Sequence, residues 1–201
     1  GSNPCDGASR ITGFYFVLPP GAGTSTAPLN FTNTQIDEAD LAITMDTSGS
    51  MQGEIANLRG GLSTRIIPAV RRVVPDAAFS VASFEDFPVR PFGDAPAGDR
   101  PFRLGTRVTT NSTTAQRAVN RLVTRSGRDY PESGQVVLHR VATGTAISWP
   151  GGRIPALAPT VNRIPGVAEG TIGGVGFRQD ALPVVVHVTD AVSHTWRDYP
   201  R

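Results

Sequence analysis

The sequence predicts an α/β fold, a doubly wound and mostly parallel sheet with helices on both faces. Three apolar runs carry that expectation, because each ends in an acid and helical spacing lies between them. Leu41-Ala42-Ile43-Thr44-Met45 stops at Asp46, residues 77–84 stop at Glu85-Asp86, and residues 183–188 stop at Thr189-Asp190. Short apolar runs of this kind suit strands buried on both faces, which a parallel sheet between helix layers requires. Parallel strands share one carboxyl edge. Asp46, Asp86 and Asp190 are therefore expected to converge in the crevice where open α/β sheets bind ligands.

Two segments are expected: an N-terminal extension, edge strand and linker over residues 1–36, and the main domain over 37–201. The extension holds one strand-like piece, Phe14-Tyr15-Phe16-Val17-Leu18, closed by Pro19-Pro20-Gly21 and a Gly/Ser/Thr/Pro-rich stretch. In the main domain, Ile55, Leu58, Leu62, Ile66, Val70 and Val73 recur at helical spacing over 54–74, and Pro68 is expected to kink or interrupt that helix. Residues 89–107, with Pro91, Gly93, Pro96, Gly98 and Pro101, read as an irregular excursion. Ala115, Val119 and Leu122 mark a helix over 113–123 capped by Ser112 or Thr113. A polar loop over 126–134 leads to a helix over 135–142, and the Gly/Pro-rich residues 149–179 read as a surface loop.

At 201 residues the chain can bury a real core, and 39% hydrophobic with 18% charged residues describes a globular protein. No apolar run reaches membrane-span length; the longest, 181–188, is broken by Pro183 and His187. All 19 basic residues are arginine, and they are scattered without an aromatic-interleaved stripe, so nucleic acid is not an expected partner. The lone Cys5 has no internal partner; it pairs with a segment outside this sequence or stays a free thiol.

The acid-ended turn after the first strand carries the chemistry. Asp46, Ser48 and Ser50 present hard oxygen donors at alternate positions between a strand and a helix. Asp and Ser also cap helices, but a cap accounts for one of the three and for neither of the distant acids Glu132 and Asp190. Carboxylates gathered on one edge repel one another, and a bound cation relieves that repulsion. Metal binding is the expected role.

Asp46-Thr47-Ser48-Gly49-Ser50 resembles the Asp-x-Ser-x-Ser motif of von Willebrand factor A domains, which implies a metal-ion-dependent adhesion site. The resemblance is closer to the A-like domain of integrin β subunits. Asp129-Tyr130-Pro131-Glu132-Ser133-Gly134 is similar to their Asp-x-Pro-Glu-Gly-Gly, Thr189-Asp190-Ala191-Val192-Ser193-His194 to Thr-Asp-Ala-x-x-His, and Phe84-Glu85-Asp86-Phe87-Pro88 to Phe-x-Asp-x-Pro. The matches run in order from about Asp40 to the end. The resemblance implies a Mg2+ site of Asp46, Ser48, Ser50, Glu132 and Asp190, with one or both aspartates acting through water. It implies a neighbouring site, for Ca2+ or Mn2+, from Asp86, Asp129, the Pro131 carbonyl and Glu132; Gly127 stands where the family has an asparagine ligand. A third site would need Ser50 and Glu54, but Gly53-Glu54 replaces two consecutive acids. The family's disulfide-bonded specificity loop has no counterpart. The family's sheet also needs strands beyond Asp190. Either the chain is a fragment, or residues 14–18 supply an edge strand.

The function this implies is a non-enzymatic adhesion or protein-interaction module, in which a carboxylate of a protein partner completes the Mg2+ shell. The lysine-free, Arg/Ala/Gly/Pro-rich composition extends the expectation to a bacterial surface or secreted protein, one part of a larger chain. Two other readings compete. One is a structural A domain whose metal serves stability alone. The other is a serine hydrolase using Ser48 or Ser50 with Asp190 and His194, although the nucleophile-elbow pattern is missing. His187, among valines, is expected to be a hydrogen-bonded strand residue, His194 a supporting residue behind the metal ligands, and Trp149 and Trp196 packing residues. Asn30 and Asn111 lie in glycosylation sequons that matter only in a secretory eukaryotic host.

Overall fold

The computed structural model describes residues 36–157, 171–195 and 197–199. The chain divides between Gln35 and Ile36 into two units, and everything described belongs to the second. The expected strand at 14–18, Cys5, Asn30 and Trp196 lie outside the described residues.

The fold is mixed α/β, with a mostly parallel sheet flanked by helices. Its four-stranded sheet has the order β3-β2-β1-β8, from β1 (Glu38–Asp46), β2 (Asp76–Phe84), β3 (Arg103–Thr109) and β8 (Leu182–Val188). β1 is central and parallel to both neighbours: Leu41 sits opposite Phe79 on one side and Val184 on the other. β3 is an antiparallel edge. The chain leaves β1 toward β2 and returns much later to β1's other side, so the order reverses between β1 and β8. A crevice therefore opens at the carboxyl ends of these two strands.

Alternation along β1 and β2 feeds two cores. Ile43, Met45, Phe79 and Val81 pack on Met51, Ile55 and Leu62 and on Ala115, Ala118 and Val119 of α3 (Ser112–Asn120). The opposite face carries smaller residues, Ala42, Ala78 and Ala82 with Phe84, against Val137 and Val141 of α4 (Gly134–Thr143) and Val175 and Phe177. Burying a side chain such as Phe79, which is fully inaccessible, contributes about 2–3 kcal/mol relative to exposure. Small residues let α4 come close. A Cβ on Gly134, its first residue, would lie 3.2 Å from His187 Nε2.

The helix over 54–74 is interrupted ahead of Pro68, as expected, and three other expectations about the elements are corrected. A 3-10 turn (Gly49–Met51) leads into α1 (Gln52–Gly61), a π-helical turn (Leu62–Ile66) and α2 (Ile67–Val73). Pro68 sits in the first turn of α2, where it has no N–H to offer the carbonyl of Thr64, and the wider π turn accommodates the break. The excursion 89–107 contains the start of β3, whose Leu104, Thr106 and Val108 alternate with Arg103, Gly105 and Arg107. The cap of α3 is Asn111, whose Oδ1 accepts from Thr114 N at 3.0 Å. Residues 149–179 are not simply a surface loop. β4 (Ile147–Trp149) pairs with β5 (Gly152–Ile154), β6 (Thr171–Ile172) pairs with β7 (Phe177–Arg178), and Val175, Phe177 and Arg178 are buried.

Arg178 clamps the amino ends of the two central strands. Its backbone N–H and Nε donate to the carboxylate of Asp40 at 2.5 and 2.7 Å, while Nη1 and Nη2 reach the Asp76 side chain and carbonyl at 2.7 and 2.8 Å. Burial raises the Asp40 carboxyl, opposed by those Arg178 hydrogen bonds; the Arg178 guanidinium, penalised first by its own burial, ends up raised by Asp76 and Asp40.

Among the described residues no helix is long and apolar enough to cross a membrane.

Candidate metal centre

The acids meet at the carboxyl edge. Asp46 is the last residue of β1, Asp86 follows β2 by two positions, and Asp190 follows β8 by two. Asp46 is fully buried and both its oxygens are engaged: Oδ1 accepts from Ser48 N at 2.8 Å and Oδ2 from the Thr189 hydroxyl at 2.6 Å. Its carboxylate thus orients the serine turn and is tied to the strand that delivers Asp190. Ser48 Oγ lies 3.2 Å from Ser50 Oγ, and Ser50 Oγ donates to Asp190 Oδ1 at 3.1 Å. No side-chain cap hydrogen bond is made by Ser48 at the 3-10 turn or by Met51 at α1, so helix capping does not explain these serines.

Glu132 arrives from the loop before α4, sewn in by backbone. Its N–H donates to the Val192 carbonyl at 2.9 Å, its carbonyl accepts from His194 N at 3.0 Å, and Ser133 N donates to the Glu85 carbonyl at 3.0 Å. Gly127, at φ +60°, lies against its side chain; a Cβ there would be 3.4 Å from Glu132 Oε1. Glu132 is 4% exposed and its Oε2 has no hydrogen-bond partner. Burial, and then the negative charges of Asp46 and Asp86, push its carboxyl up to about 9. Ser48, Ser50, Glu132 and Asp190, with Asp129 and Tyr130, line one pocket of about 180 Å3. The Tyr130 hydroxyl donates to the Asp190 carbonyl at 3.1 Å.

The donor set fits a small hard dication. Neighbouring ligands on an octahedral Mg2+ with bonds near 2.1 Å lie about 3.0 Å apart, close to the Ser48–Ser50 and Ser50–Asp190 separations. The unpartnered, charge-repelled Glu132 carboxyl is the kind of group a cation satisfies. Ser48, Ser50, Glu132 and Asp190 could hold such an ion, while Asp46, fully buried with both oxygens engaged, lies outside the pocket's lining and fixes the turn.

Of the neighbouring set, the structure brings Asp86 and Asp129 together, and the third ligand-bearing side chain with them is His194. His194 Nε2 is 2.9 Å from Asp129 Oδ2 and 3.4 Å from Asp86 Oδ2. Asp86 Oδ1 accepts from Phe87 N at 2.5 Å and Ser133 Oγ at 2.7 Å; burial raises its carboxyl to about 6 despite those bonds. Pro131 is half-buried beside Glu132. Glu54, of the expected third site, is exposed in the first turn of α1.

His194 faces carboxylates, so the Ser-His pair of the hydrolase reading is not assembled in its hydrogen bonding. His187, half-buried on the edge strand β8, shares a 2.8 Å hydrogen bond with Thr44 Oγ1 and stacks on Phe84 at 5.1 Å, the hydrogen-bonded strand residue expected. Trp149 packs edge-on against Phe87. Sequence reasoning missed Glu85. It is fully buried beneath the site and takes the Thr47 hydroxyl, Arg100 N at 2.9 Å, and the Arg103 and Arg125 guanidiniums. The one available signal was its position, adjacent to Asp86 at a strand's carboxyl end.

No protein-family model matches the chain, and no curated protein matches it.

Proposed function

We propose that residues 37–201 form a von Willebrand factor A-type module, nearest to the integrin β A-like domain, that binds a protein partner's carboxylate through Mg2+. The reading rests on the motif residues and is supported by the convergence of Asp46, Ser48, Ser50, Glu132 and Asp190 at the point where strand order reverses. The observation that carries it is Glu132: buried, with one oxygen unpartnered, and held by a backbone bridge in the same pocket as the two serines and Asp190. A dication held there supplies a Lewis-acidic position that a partner carboxylate can occupy in place of water. Ser48 and Ser50 contribute neutral oxygens, so the ion is neutralised less than it would be by an all-carboxylate set and keeps more attraction for a partner carboxylate, while Asp46 and Thr189 fix the turn. The role is adhesion rather than catalysis, and a bacterial surface or secreted setting goes with it.

Calorimetric titration of the chelator-stripped chain with MgCl2 tests the metal, and an array of extracellular proteins probed with and without chelator tests the partner. Ser48→Ala and Ser50→Ala should each weaken Mg2+ binding by at least about tenfold, and array binding should vanish with EDTA. Unchanged Mg2+ titrations in both variants defeat the site. Tight Mg2+ binding with chelator-insensitive array signals leaves only a structural metal.

A further inference from the structure

We propose that Asp86, Asp129 and His194 form a separate mixed nitrogen-oxygen site for a transition dication of the Zn2+ class. It does not rest on the Mg2+ reading, because none of its three residues belongs to the Mg2+ set. It also differs in chemistry from the all-oxygen neighbouring site that the family resemblance implies.

Three segments distant in sequence deliver the ligands: the end of β2, the loop before α4 and the turn after β8. One ligand atom from each lies within 4.8 Å of the others. The separations of 2.9 and 3.4 Å from Nε2 to the two carboxylates bracket the edge of about 3.3 Å expected between ligands of a tetrahedral ion with bonds near 2.0 Å. A hydrogen-bonded trio leaves this cluster incompletely satisfied. Nε2 has one proton, and its bond goes to Asp129 Oδ2. Asp86 is 1% exposed, yet its Oδ2 has no hydrogen-bond partner. Phe87 N and Ser133 Oγ hold the other oxygen, so Oδ2 faces the imidazole. Asp129 Oδ1 is likewise without a partner. An ion in place of the Nε2 proton satisfies both carboxylates and the nitrogen together.

The imidazole is pre-set for this. Phe92 and Tyr199 pack edge-on to it at 5.1 and 5.2 Å. Nδ1 lies 3.8 Å from Asp198 Oδ2, an oxygen held in turn by Thr195 N and Oγ1 at 2.7 and 2.9 Å. A carboxylate behind a ligating histidine is the usual outer support of such sites. One imidazole with two carboxylates favours Zn2+ over Mg2+ or Ca2+, which prefer oxygen throughout.

The test uses the full chain carrying Cys5→Ser, so that no thiol competes. Zn2+ is titrated against a chromophoric chelator, and long-range 1H–15N spectra follow the histidine ring nitrogens. One Zn2+ per chain is expected, with the His194 Nε2 resonance shifting and those of His139 and His187 unmoved. His194→Gln and Asp86→Asn should each weaken Zn2+ binding by at least about tenfold, and Ser50→Ala should leave it unchanged while weakening Mg2+. Wild-type Zn2+ affinity in His194→Gln overturns the proposal. So does an unmoved His194 resonance in the Cys5→Ser chain, a readout that does not depend on the ligand variants folding. Stoichiometric Ca2+ binding without Zn2+ binding overturns it as well.

Discussion

Glu132 and Ser193 face each other across an isolated parallel bridge, formed by the hydrogen bonds from Glu132 N to the Val192 carbonyl and from His194 N to the Glu132 carbonyl. This two-bond lacing joins the loop before α4 to the turn after β8. It fixes the Glu132 carboxyl in a buried position beside Asp46 and Asp86, where its charge is opposed.

The metal-free protein should lose stability as pH rises. The carboxyls of Glu132 and Asp86 are raised from ordinary values of 4.5 and 3.8 to about 9 and about 6. The folded state therefore holds more protons than the unfolded one across this window. The stabilisation is complete below about pH 4 and is lost as pH rises through 6 and then 9, at up to about 1.4 kcal/mol per pH unit for each proton retained. Urea midpoints at pH 5, 7 and 9 measure it. Glu132→Gln should flatten the fall between 7 and 9, and equal slopes in variant and wild type contradict this account.

Mg2+ binding should release a proton from Glu132 and strengthen with pH. Between pH 6 and 8.5 the affinity should climb by up to about tenfold per unit, because the ion displaces a proton from a ligand whose neutral form dominates. Calorimetry in two buffers of different ionisation enthalpy reports the proton count directly. In Glu132→Gln both the proton release and the pH slope should disappear.

Glu85→Ala should cost about 1–3 kcal/mol, because Thr47 Oγ1 and Arg100 N lose a buried acceptor, while the Arg103 and Arg125 guanidiniums, each about a quarter exposed, can turn to solvent. The same change leaves the Thr47 hydroxyl, one residue before Ser48, with the Phe84 carbonyl alone as acceptor, so Mg2+ affinity should fall with stability. Thermal melts together with Mg2+ titration at a temperature where the variant is folded separate the two effects.

Arg178→Met should also destabilise by about 3–5 kcal/mol, because the buried Asp40 carboxylate loses its paired guanidinium. Unlike Glu85→Ala, it should leave Mg2+ affinity within about twofold of wild type, since the site is at the other end of β1. Asp40→Asn in the Arg178→Met background should recover part of the loss by removing the stranded charge.

How much was legible in the sequence varied with how local the cause was. The three acid-ended strands and the helix over 134–143 followed from apolar runs and spacing, although the apolar run of β8 lies at the sheet's edge, with Leu182, Val185 and Val186 exposed. β3 escaped because Leu104, Thr106 and Val108 alternate with two arginines and a glycine, a weak signal beside five nearby prolines and glycines. The π-helical turn left no mark beyond Pro68. Asn111, read as a sequon, is spent on capping α3. The site acids were legible by position, yet the partners of His194 were not. Its proximity to Asp86 and Asp129 depends on how two turns fold over the sheet edge, and no spacing encodes that. Glu85 and Arg178 were hidden for the same reason: a buried charge is recognisable only through a counter-charge far away in sequence.

The Arg178 clamp gives the molecule two unlike poles. β1 is nine residues long, so about 26 Å separate its ends. At one end a guanidinium stitches Asp40 and Asp76 together; at the other, acids crowd without enough cations among the side chains. Tension between like charges at the acid-rich pole can therefore be stored without unravelling the sheet, because the opposite pole is anchored independently of it. Slow amide exchange around Asp40, Asp76 and Arg178, alongside fast exchange from Thr47 to Ser50 that slows when a dication is added, is the signature this division of rigidity should leave.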